Sequence, residues 1–172
     1  MEISKIMGKP INILIAVVMV MLIFGVIYLA SNNTPQVVAA GDNISVYYTG
    51  TLTNGTVFDS NVGKSPLNFT VGSGQLIAGF DNAVIGMKLN ETKTVTLLPS
   101  EAYGEVNQSL IVQVSRYTFG NQSINVGMAV QTTNGQRGVI TAISGKNVTV
   151  DFNPPLAGQT LIFTIKVVKI KK

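Results

Sequence analysis

The sequence predicts an α+β fold, mostly β: a strand-rich domain with one short helix, interrupted by a smaller β module and preceded by a transmembrane helix. Three observations predict it. Residues 13–30 are an unbroken apolar run. Beyond residue 42 apolar side chains alternate at period 2, except between Gln75 and Gly86, where their spacing turns helical. Residues 105–151 instead break into short apolar runs between Asn/Gly/Ser turns.

Composition removes much chemistry at once. The 172 residues are 46% apolar and only 12% charged, without cysteine or histidine. Thiol nucleophiles, disulfides, Ser-His-Asp triads and Cys/His zinc sites are therefore excluded. The 8 carboxylates are spread thinly, so neither a metal nor a cofactor is expected. Net charge is +4, but the arginines are Arg116 and Arg137 alone, and no basic cluster is interleaved with aromatics. A nucleic-acid partner is not expected.

The first element is ILIAVVMVMLIFGVIYLA at 13–30. As a helix its 18 residues would span about 27 Å, close to the roughly 30 Å hydrocarbon core. A secretory signal would have a shorter apolar core; cleavage near Ala39 and Ala40 and a buried soluble helix are the alternatives. Lys5 and Lys9 precede the run, and no charge follows it before Asp42. The positive-inside tendency then puts residues 1–10 in the cytoplasm and 11–30 in the membrane, leaving 31–172 extracytoplasmic. The protein is expected in the cell membrane as a single-pass chain.

Sequons point the same way. Asn32, Asn43, Asn54, Asn68, Asn90, Asn107, Asn121 and Asn147 each begin N-x-S/T. Chance gives roughly two or three for this composition, and all eight follow the apolar run. They are candidate glycosylation sites on an exported surface; a turn-rich sequence with much Asn and Thr is the other reading.

Residues 31–41 read as a tether. From Ile44, Val46, Tyr48 and Leu52 alternate with polar neighbours in a half-buried strand, and Asn54-Gly55 marks a turn before Val57 and Phe58. Leu67, Phe69 and Val71 alternate again. Leu76, Ile77, Phe80, Val84 and Ile85 fit a short helix closed by Gly86. Strand patterns return at Thr92 to Leu98 and at Thr160 to Ile170. The domain thus comprises 42–104 and 152–172, with a β module inserted at 105–151.

The segments VYYTGTLTNGTVFDS (46–60), PLNFTVGSGQLIAGFDNAVIGMKLNETKTVTLLPSEAYG (66–104) and LAGQTLIFTIKVVKI (156–170) resemble FKBP-type peptidyl-prolyl cis-trans isomerases. Residues 41–172 are similar to the SlyD-like branch, in which a chaperone module is inserted in the flap. The resemblance implies an antiparallel half-barrel sheet wrapped on one short helix. It also implies isomerisation of X-Pro bonds in unfolded or partly folded chains. Twisting the amide faces a barrier of about 18–20 kcal/mol because resonance is lost; a dry apolar pocket favours the twisted, less polar state without a covalent step.

By motif position, the resemblance assigns catalytic roles to Tyr48, Phe58, Asp59, Ile77, Phe80, Tyr103 and Phe163, and a substrate pocket to Leu67, Phe69 and Leu76. Phe80 would lie under the proline ring. The Ile77 N–H and the Tyr103 hydroxyl would hold substrate carbonyls, and Asp59 would orient Tyr48. Asp59 as a turn acid is the bland alternative. By pattern, Ile44, Val46, Phe69, Val84 and Val95 suit the core as well. The sequence departs from the family at Phe80, where many relatives carry Trp, at Leu67, where an aromatic is common, and at Pro154, where His is frequent. Metal binding by relatives is not carried over.

In SlyD-like proteins the insert holds unfolded clients on an apolar surface. Tyr117, Phe119 and Met128 are the residues expected to be exposed there, while about half of the module's other apolar residues fill its own core. Two functions follow: a membrane-tethered isomerase and folding helper for exported proteins, or an extracytoplasmic holdase with a vestigial pocket.

Overall fold

A computed structural model of the chain describes residues 17–24 and 36–172. Residues 17–24 are helical and exposed. The rest of the expected span 11–30 lies outside the described residues, as do residues 1–10 and the sequon at Asn32. Among the described residues no helix is long and apolar enough to cross a membrane.

The expected tether is shorter than the sequence suggests. Val37 forms a β-bridge with Lys88. Val38 is 2% exposed, donates to the Met87 carbonyl and accepts from Gly86 N–H. Residues 37–41 therefore belong to the domain, because a single apolar side chain finds a slot that no periodicity announces.

The domain has one sheet: β1 (Asn43–Leu52), β2 (Val57–Ser60), β3 (Leu67–Thr70), β4 (Thr92–Leu97) and β9 (Leu161–Lys171). Its order is β2-β1-β9-β4, and β3 also pairs with β1. The pairings are antiparallel. Helix α1 (Ala78–Val84) is shorter than expected. Leu76 and Ile77 precede it outside the helix, Ile77 at ψ 141°, and Gly86 follows at φ 82°. Phe80, Ala83, Val84 and Met87 pack onto a sheet face built from Ile44, Val46, Leu97, Leu161, Phe163, Ile165 and Val167. A Cβ on Gly79 would meet Leu97 at 2.7 Å and the Glu101 carbonyl at 2.9 Å, so only glycine lets α1 come this close.

On β9 the buried positions run 161, 163, 165, 167 and then 170. The change of phase coincides with a register shift opposite Ser45 and Val46, where Ser45 pairs with Lys169 and Val46 with Val167. The extra residue, Val168, turns Ile170 inward over Ile44.

The inserted module is a second antiparallel sheet of β5 (Ile111–Ser115), β6 (Ala129–Gln131), β7 (Arg137–Ser144) and β8 (Asn147–Asp151), ordered β5-β8-β7-β6. Its core is Ile124, Ile140, Val148 and Val150. Phe152 also belongs to it, donating its N–H to Leu110 and packing over Gly138. Asn107 and Asn153 close the base: the Asn153 carboxamide accepts from Asn107 N–H at 2.9 Å and donates to its carbonyl at 3.1 Å. Gly158 N–H then bonds the Gly104 carbonyl at 2.8 Å. The module thus runs from about Asn107 to Asn153, each edge two residues further toward the C-terminus than expected.

Candidate active site

One end of α1 and the facing strands enclose a cavity of about 440 Å³. Phe80 forms its floor, 4% exposed, with edge-on contacts to Phe163 (5.2 Å between centroids), Tyr48 (5.6 Å) and Phe69 (6.0 Å). Phe58 stands edge-on to Phe163 at 5.6 Å. Edge-to-face contacts of this kind are a favoured arrangement of aromatic pairs and hold the rings against one another.

Strict alternation along β2 would point Phe58 and Asp59 to opposite faces. A register shift prevents this: Gly50 pairs with Asp59, Thr51 with Val57, and Phe58 is left over. The bulge lets consecutive side chains reach one cavity. Gly50 makes the room. A Cβ there would sit 2.6 Å from Phe58 and 2.9 Å from Phe163.

The Tyr48 hydroxyl donates to Asp59 Oδ2 at 2.5 Å. Burial, and then the Asp59 carboxylate, push this hydroxyl up to about 12 from its ordinary 10.0. Tyr48 stays a neutral donor at any physiological pH. Ile77 lines the cavity just before α1; its carbonyl accepts from Phe80 and Asp81 N–H, and its own N–H has no partner among the described residues. Tyr103, 44% exposed, stands at the rim.

Of the residues assigned from sequence, Tyr48, Phe58, Asp59, Leu67, Leu76, Ile77, Phe80, Tyr103 and Phe163 all line this cavity. Phe69 does not. It is 4% exposed and lies behind Phe80, supporting the floor from the core, because its strand turns this position inward opposite Ile44. Gly74 and Gln75 line the cavity and were not singled out, although they lie inside the quoted VGSGQ segment.

On the module, Tyr117 is 77% exposed and Met128 is 38% exposed. Phe119, expected on the surface, is half-buried against Ile124, Ile140, Val148 and Val150, because this four-residue core needs its ring. Phe119 and Met128 line a second cavity of about 560 Å³ with Val114, Val130 and Phe152.

Comparison with known proteins decides the family. The profile of the FKBP-type peptidyl-prolyl cis-trans isomerases matches residues 34–168. The chain belongs to this family. It is accordingly a peptidyl-prolyl cis-trans isomerase of the FKBP type. A probable FKBP-type 16 kDa peptidyl-prolyl cis-trans isomerase of Pseudomonas fluorescens is 32% identical over 140 residues, 79% of this chain and 93% of the relative. SlyD of Helicobacter pylori is 37% identical over 120 residues, 67% of this chain and 65% of SlyD. A short-type peptidyl-prolyl cis-trans isomerase of Methanocaldococcus jannaschii is 41% identical over 104 residues, 59% of this chain and 66% of the relative.

As an FKBP-type site the arrangement needs no charged reactant. Its walls are largely aromatic, and Tyr48, Asp59 and Tyr103 bring polar atoms to its lining.

Proposed function

We propose that this isomerase is held at a membrane by residues 11–30 and acts on proline-containing, unfolded or partly folded exported proteins, its inserted module retaining the client while the pocket turns X-Pro bonds over. The observation that carries the catalytic part is the aromatic cavity floored by Phe80 and edged by the Tyr48–Asp59 pair. A prolyl ring seats on Phe80. Removal of water from the amide lowers the cost of reaching the twisted state, whose carbonyl is less polar. The Ile77 N–H and the Tyr103 hydroxyl hold flanking carbonyls, so rotation is confined to one bond.

Support for the chaperone part is the second cavity, apolar along Val114, Phe119, Met128 and Val130, with Tyr117 exposed nearby in sequence. A flexible thioether beside an aromatic ring suits varied clients. Support for the exported location is the apolar run after Lys5 and Lys9, together with the sequons. The seven described sequon asparagines, Asn43, Asn54, Asn68, Asn90, Asn107, Asn121 and Asn147, are all exposed, as attachment of a glycan requires.

Proline-limited refolding of a client protein tests the reading. The full-length chain should accelerate the slow phase catalytically, and Phe80→Ala or Tyr103→Ala should abolish most of the effect. A slow phase unchanged by the parent protein would refute the assignment of catalysis to this cavity.

A further inference from the structure

Strand β1 is paired on one side by β9 along its whole length, but on the other by two separate strands. β3 covers residues 43–46 and β2 covers 49–51. Between them the main chain at Tyr48 has no strand to pair with, and unpaired main-chain groups are costly unless water or a side chain replaces the ladder.

Asn61 fills the gap. Its Oδ1 accepts from Tyr48 N–H at 2.7 Å and its Nδ2 donates to the Val46 carbonyl at 3.0 Å. Its own N–H donates to the Tyr48 carbonyl at 3.2 Å. A carboxamide has the donor and acceptor of a peptide unit, so here one side chain continues the sheet where the backbone does not. Ser60 Oγ adds a bond to the Tyr48 carbonyl at 3.1 Å. Asn61 follows Asp59 by two residues. It therefore ties the main chain of Tyr48 to the segment that carries Asp59.

We propose that Asn61 is a positioning residue of the isomerase pocket, fixing the Tyr48 main chain so that the phenol stays on Asp59 and its ring stays against Phe80. The inference rests on the reading of this cavity as the isomerase site. Asn61 itself is not among the residues that line the cavity.

The test uses the full-length chain with 13Cζ-labelled tyrosine, and follows both Tyr48 titration and turnover of a proline tetrapeptide. Asn61→Ala should lower kcat/KM about tenfold, since displacement of a site group by an ångström costs up to about a hundredfold. Tyr48 should at the same time titrate lower, toward 10, as it leaves Asp59. Asn61→Leu keeps the bulk without the hydrogen bonds and should do the same; it decides the matter if Asn61→Ala fails to fold. A folded variant whose Tyr48 titrates as in the parent overturns the proposal, whatever its activity. Should the parent itself lack isomerase activity, the proposed function falls, and the titration alone still decides whether Asn61 positions Tyr48.

Discussion

The Tyr48 hydroxyl and the Asp59 carboxylate meet at 2.5 Å across strands β1 and β2, diagonal to the Gly50–Asp59 pair. Burial first, and then this contact, raise the Tyr48 pKa to about 12, so the folded protein retains a proton that an unfolded chain loses near 10.0. The resulting stability is present below pH 10 and is lost as pH rises through 12. In Asp59→Asn the Tyr48 titration should fall toward 10 without reaching it, since burial is the larger cause. Ultraviolet difference titration reads this directly.

Gly50→Ala should disturb the pocket from beneath. The new methyl would press into the Phe58 and Phe163 rings at 2.6 and 2.9 Å. Overpacking of this kind costs about 1–3 kcal/mol, so the melting temperature should drop and peptide turnover should fall with it. A variant with unchanged stability and turnover would show that the rings yield freely.

Asp42 binds Lys172 Nζ and the Ala39 N–H, each at 2.8 Å, and its carboxyl lies below the usual 3.8. Its contribution is complete above the unfolded value and disappears as pH falls through the lower, folded value. Asp42→Asn should therefore lower the melting temperature at pH 6 and have little further effect near pH 2. Thermal melts of parent and variant across that range should converge on the acid side.

Deleting the module separates its role from that of the pocket. Asn107 to Asn153 should be replaced as a unit, because Phe152 and Asn153 pack with the module and the Gly104–Gly158 bond can still close the stem. Proline peptides should be turned over within about tenfold of the parent, whereas protein clients should lose about 10²–10⁴ in efficiency as tethering is lost. Equal losses on both substrates would mean that the module only supports the pocket.

Topology has its own measurement. Protease added to intact cells should digest residues 31–172 and leave a membrane stub. Full protection would exclude the exported location.

Much of this site was legible because FKBP-type motifs fix residue types in order, and nine of the ten assigned pocket residues converge on one cavity. Phe69 was given to the pocket by the motifs and to the core by the strand pattern, and the core reading holds, because Phe80 lies in front of it. Composition alone excluded thiol, imidazole and zinc chemistry, and local pattern located the strands, the helix and the inserted module. Those properties depend on residue type and near-neighbour spacing. Tertiary structure decided the rest. The bulge at Phe58 put two consecutive side chains on one face, Val168 rephased β9, Phe119 was drawn into a core too small without it, and Asn61 replaced a missing strand. Each depends on which distant segment lies alongside, and that is set only when the chain has closed its sheets.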